Sequence, residues 1–249
     1  ARKIAAIIEK CNAENRKCVM ALGWGLGSHS VYSELVEMHK ANGFSFANTI
    51  IFNVAEFYPA IEGEKSSLSI LKEIFIDKVD INPENVFSPE ASDNVFEFCK
   101  QYEETIAKLG GLDITLLELG RAGALSFNEP GSQLSSTTRL MLLSKDSQNT
   151  VSKVFQTNDK GVTSAITMGI STLLNAKETF VVGWGEEVAS SLKKAVEGPI
   201  DDAVPASFLQ TVKHARFVVD LAAAEKLTRI SKPWLVSSCE WTDQLIRRA

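Results

Sequence analysis

Apolar and polar positions alternate along the chain between two periods. Ile4, Ile7, Ile8 and Cys11 recur at helical spacing, so the first segment predicts an amphipathic helix. Cys18–Trp24 is a short apolar run ending in glycines, which predicts a buried strand. Tyr32, Leu35, Val36 and His39 give a second helical stripe, closed by Gly43. Thr49–Val54 reads as a strand, and Leu68, Leu71, Ile74 and Phe75 as a helix. A longer helix carries Val95, Phe98, Cys99, Tyr102 and Ile106 and stops at Gly110-Gly111. Strands are then predicted at Asp113–Leu119, Arg139–Leu143, Phe180–Trp184 and Ala215–Asp220, with a helix from about Glu186 to Val196. This order predicts an α/β, doubly wound, mainly parallel sheet with helices on both faces, Rossmann-like in plan. No Pro/Ser/Gly-rich linker interrupts the 249 residues, so one domain over 1–249 is expected.

Composition narrows the function classes. Apolar residues are 45% and charged residues 23%, which fits a folded soluble chain and excludes a disordered or collagenous one. With 26 Lys plus Arg against 31 Asp plus Glu the net charge is −5, so neither nucleic acid nor a membrane is an expected partner. No run is long enough to span a bilayer, and the start shows no secretory core. Cys11, Cys18, Cys99 and Cys239 form no Cys-x-x-Cys pair, which predicts reduced thiols, a cytoplasmic location and no metal.

In doubly wound sheets ligands sit at the carboxyl ends of the strands, so chemistry is sought in the turns that follow them. The first, Gly23-Trp24-Gly25-Leu26-Gly27-Ser28-His29-Ser30, leads into a helix and offers amides to an anion. It is not a Walker loop, since no Gly-Lys-Ser/Thr follows. The second, Phe52–Tyr58, holds Glu56, a candidate base whose favoured reading is a helix-start or solvated carboxylate. The third, Leu119–Ser132, holds Asn128 and Glu129. Of the three histidines, only His29 lies in such a turn. Trp24 and Trp184 end strands, where aromatic faces stack on sugars or simply pack.

These strings, together with Asp80-Ile81-Asn82-Pro83-Glu84-Asn85, Gly110-Gly111-Leu112-Asp113, Phe127-Asn128-Glu129-Pro130-Gly131-Ser132, Ile166-Thr167-Met168-Gly169-Ile170 and Ala195-Val196-Glu197-Gly198, resemble the glucosamine-6-phosphate deaminase/isomerase family. The wider group includes the 6-phosphogluconolactonases, which are hydrolases. The ending around Pro233-Trp234-Leu235-Val236 and Cys239-Glu240-Trp241-Thr242 is similar to a long bacterial subset with an added C-terminal domain, so truncation at both ends of this chain is expected. The resemblance implies an aldose–ketose isomerisation of an amino-sugar phosphate with release of ammonia, without a cofactor, and a tendency to form homo-oligomers.

It also implies where the acid/base groups belong, and there the sequence departs. The family's base stands in an Asn-x-Asp-Glu-Tyr string, which here is Asn53-Val54-Ala55-Glu56-Phe57. The ring-opening Asp and His of Gly-x-Asp-Gly-His fall on Ala122 and Ala124. A phosphate-binding Arg is matched by Lys153 and a phosphate-binding Lys by Val188, while Leu26 replaces a loop hydroxyl. A methyl group cannot carry a proton, and each positioned acid or base is worth roughly 10²–10⁴-fold in rate. Residual candidates are Glu129 and Glu56 for acid/base work, with Glu118 a further displaced base. Gly27, Ser28, His29, Ser30 and Lys153 are the candidates for holding a sugar phosphate. Three readings stand: a catalytically degenerate sugar- or sugar-phosphate-binding or partner module, an active enzyme using relocated groups such as Glu56, Glu129 or His29, and a structural module without a ligand.

Overall fold

The computed structural model describes residues 1–59, 65–89, 94–155 and 162–247. Its main sheet has six strands: β1 (Cys18–Leu22), β2 (Thr49–Asn53), β4 (Val86–Phe87), β5 (Ile114–Glu118), β8 (Glu178–Gly183) and β9 (Ala215–Val219). Their order is β4-β2-β1-β5-β8-β9 and every pairing is parallel. The chain winds outward from β1 in one direction and from β5 in the other, so the order reverses between these two strands.

Period-2 alternation sends side chains to opposite faces. Met20, Leu22, Ile51, Leu116 and Val182 enter a core with Ile4, Ile8, Tyr32, Leu35, Leu71 and Phe75, from α1 (Arg2–Ala13), α2 (His29–Asn42), α3 (Ser67–Ile74) and Phe75 just beyond it. Val19, Ala21, Phe52, Leu117 and Val181 enter the other core, against Tyr102 and Ile106 of α4 (Val95–Lys108) and Leu192 and Ala195 of α7 (Ala189–Glu197). Both faces are therefore covered, which suits strands apolar on both sides. Gly43 takes the left-handed conformation (φ 64°) that ends α2.

A second sheet corrects the expected plan in part. The segment after β2 continues as a strand, β3 (Ala55–Tyr58), rather than as a turn, and pairs antiparallel with β7 (Ser164–Thr167). β7 pairs antiparallel with β6 (Arg139–Leu142). The strand at Arg139–Leu142 thus exists but lies outside the parallel sheet, and α5 (Lys145–Phe155) follows it. The reason for missing β3 is local: Ala55-Glu56-Phe57-Tyr58 carries only weak alternation, and the partner that makes it a strand is about 110 residues away in sequence. The expected helix after β8 begins with a 3-10 turn, Glu186–Val188, before α7; α6 (Ile170–Leu174) joins β7 to β8. No helix among the described residues is long and apolar enough to cross a membrane.

Candidate functional site

The strand order reverses between β1 and β5, and the space beyond their carboxyl ends is the usual ligand position of such a sheet. The β1 turn enters it as a 3-10 turn, Leu26–Ser28, running directly into α2. Trp184, just after β8, donates its indole N–H to the Gly27 carbonyl at 2.7 Å. Glu118, the last residue of β5, lies against the same loop from below. A Cβ on Gly25 would stand 1.8 Å from its Oε2, and a Cβ on Gly27 2.8 Å from its Oε1. A side chain at either glycine would have to displace the Glu118 carboxylate. Burial pushes the Glu118 carboxyl above its ordinary range, and the Gly27 backbone N–H offsets this only in part.

His29 opens α2 beside this loop, and its Nε2 is buried without a hydrogen-bond partner. Burial, and then the charge of Lys78, lower its pKa, so the ring is neutral at pH 7. Ser28 is buried at the same helix start, whereas Ser30 is exposed. Lys153, near the end of α5, is exposed. Val151 of that helix packs with Ala55, Phe57 and Phe127.

The three alanines fall on adjoining elements. Ala55 on β3 pairs with Thr167, whose hydroxyl lies 3.3 Å from that of Ser126, two residues beyond Ala124. Ala122 and Ala124 belong to the turn after β5, where the Gly120 N–H donates to the Ala124 carbonyl at 2.9 Å. Ala122 takes a left-handed backbone (φ 53°), a conformation unusual for alanine and better tolerated by Asn or Asp.

The residual carboxylates are engaged. Glu56 is buried and accepts the backbone N–H groups of Phe57, Ser67 and Leu68 at 2.8–3.0 Å, capping the start of α3 from the side. Burial raises its pKa even against those three donors. Glu129 accepts the Ser144 N–H and hydroxyl, both at 2.9 Å, tying its loop to the start of α5. Both carboxylates thus act as acceptors that fasten local structure.

The residue reading passed over one cluster. Asp113, just before β5, accepts from Arg16 (2.8 Å), Lys177 (2.7 Å) and the Val19 N–H (2.9 Å). Its carboxylate and the sulfurs of Cys11 and Cys18 lie within 4.8 Å of one another, a grouping that could hold a metal ion. The carboxylate's charge is already met by two cations, and the cluster sits at the opposite end of the strand from the glycine-rich turn, so it is a structural anchor.

A doubly wound parallel sheet with a glycine-rich turn at its switch point defines the α/β class of this chain. Comparison gives the family. Residues 1–218 match the family of glucosamine-6-phosphate isomerases/6-phosphogluconolactonase, and the chain belongs to it. It is 49% identical over 251 aligned residues to a glucosamine-6-phosphate deaminase-like protein of Bacteroides thetaiotaomicron, covering 99% of this chain but only 38% of that longer relative. It is 36% identical to a glucosamine-6-phosphate deaminase of Colwellia psychrerythraea, over 86% of this chain and 81% of the relative. Among solved structures, a monomeric glucosamine-6-phosphate deaminase superposes with a TM-score of 0.82 at 29% identity, over 89% of this chain and 93% of the other. A 6-phosphogluconolactonase from Trypanosoma brucei shares the fold, with a TM-score of 0.72 at 21% identity over 91% and 92%.

Proposed function

We propose that the chain is a catalytically silent member of its family, a carbohydrate-binding module connected with amino-sugar phosphate metabolism. The observation that carries this reading is the state of the proton-transfer positions. Ala55, Ala122 and Ala124 bring methyl groups where the family resemblance calls for a base, an orienting acid and an imidazole. The candidates nearest in sequence, Glu56 and Glu129, are committed to backbone and hydroxyl donors. Proton transfer between neighbouring carbons needs a group within hydrogen-bond reach of both, at a pKa near the working pH. Two bound carboxylates on different elements do not supply that.

The second reading, an active isomerase/deaminase with relocated groups, draws on the unpartnered Nε2 of His29 and the raised carboxyl of Glu118. One assay separates the two. Purified protein is incubated with glucosamine 6-phosphate beside an authentic family deaminase, and fructose 6-phosphate and ammonia are followed. The expected rate is lower by at least about 10⁴-fold, the loss of two proton-transfer groups that do not multiply fully. Turnover at an ordinary rate, abolished by His29→Ala or Glu129→Gln, would establish the second reading.

A further inference from the structure

We infer that Glu118 is a specificity determinant that closes the β1 loop to phosphoryl and other anionic groups. This rests on the binding reading above and narrows it: a ligand at the switch point would carry no anionic group against the β1 loop. Backbone amides that start a helix attract an anion when they are free and face an open space. Here the space is filled from inside. The Glu118 carboxylate stands where side chains on Gly25 and Gly27 would otherwise be, and it abuts the Gly27 amide. No cation among the described residues pairs with it. The Gly27 carbonyl is held from the other side by the Trp184 indole, so the loop is fixed around the carboxylate. The residues following the neighbouring strands add to the effect. Glu186 and Glu187 follow β8, and Asp220, which accepts from the Gly185 N–H at 3.1 Å, follows β9. Arg121, the cation of the turn after β5, is drawn to Glu187 at 3.6 Å. A dianion brought to the Gly27 amide would meet the like charge of the half-buried Glu118 carboxylate at van der Waals distance, where such repulsion is stronger than in bulk water.

The test is calorimetric titration of sulfate, which stays dianionic across neutral pH, and of glucosamine 6-phosphate. The proteins are the full chain and its Glu118→Ala and Glu118→Gln variants, each checked for a native melting transition. Glu118→Ala is expected to bind sulfate at least about tenfold more tightly than the unmodified chain, the scale of one charged contact changed in sign. Glu118→Gln keeps the bulk and loses the charge, so its affinity should fall between the two; it decides the matter alone if the alanine variant does not fold. Equal affinity in all three proteins, whether tight or undetectable, would overturn the inference. Turnover is a separate readout: a silent protein with equal sulfate affinity in every variant sinks the Glu118 assignment and leaves the catalytic reading standing. A protein that turns over substrate ordinarily, yet gains sulfate affinity on losing Glu118, does the reverse.

Discussion

Asp113 and Glu118 stand at opposite ends of one strand, five residues apart, and the chain treats them differently. At the amino end, burial alone would raise the Asp113 carboxyl, but Lys177, the Val19 N–H and Arg16 outweigh it and hold the group below its usual range. At the carboxyl end, Glu118 has the Gly27 backbone donor and no counter-ion among the described residues, and its carboxyl is raised. Asp113 ties the α1–β1 connection, β1 and the residue before β8 together; Glu118 lies against the glycines of the β1 turn. A buried carboxylate surrounded by cations is a fastening. One left with a single amide is a charge held at a cost, and such groups collect where a ligand binds or is refused.

The contrast can be broken by substitution. Asp113→Ala should have the largest effect, about 2–3 kcal/mol of stability, since it strands the Val19 N–H and removes two charged bonds whose cations remain partly in water. That corresponds to a fall in Tm of roughly 5–10 °C for a chain of this size. A loss under about 0.5 kcal/mol in urea unfolding would show the cluster to be ornamental. Gly25→Ala should cost about 1 kcal/mol through overpacking on the Glu118 side chain. The cost should vanish in a Glu118→Gly background, because the clash has a single source; equal costs in both backgrounds would mean that the carboxylate does not lie under the loop.

Glu118→Gln should have the smallest effect, a gain of up to about 1 kcal/mol at pH 7, as expected when a half-buried charge without a counter-ion among the described residues becomes a neutral isostere. The pH dependences of the two acids oppose each other. With a depressed folded pKa, the Asp113 contribution is present above the unfolded value of about 3.9 and lost as pH falls through the folded one. With a raised folded pKa, the Glu118 contribution is complete below the unfolded value of about 4.3 and lost as pH rises through the folded one. Urea unfolding from pH 3 to 8 should therefore show Asp113→Ala losing the acid limb of the wild-type curve. The advantage of Glu118→Gln should shrink toward low pH, and a constant advantage would refute the raised carboxyl.

Much of this architecture was legible from residue order. The apolar runs at Cys18–Leu22, Thr49–Asn53, Ile114–Glu118 and Glu178–Gly183 are strands because each is short, apolar on both faces and bounded by helix stripes. That pattern leaves little alternative to a parallel sheet covered on both sides. The alanines at 55, 122 and 124 were equally plain, being departures from ordered strings that otherwise persist. Glu118 stood out as a candidate displaced base, close in sequence to the lost groups, with no sign that it lies against the β1 loop.

What residue order could not decide was which groups meet. β3 is a strand because Ala55–Tyr58 lies against Ser164–Thr167, a pairing that no local propensity encodes. Glu56 became a helix cap and Glu129 a loop tie because Ser67, Leu68 and Ser144 were carried to them by the fold. The Gly-rich turn has the look of an anion cradle in one dimension; in three, the carboxylate of β5 sits under it. The physical reason is common to all these cases: hydrophobic period is a local property of the chain, while the partner of a charge or of a strand edge is fixed only when distant segments pack.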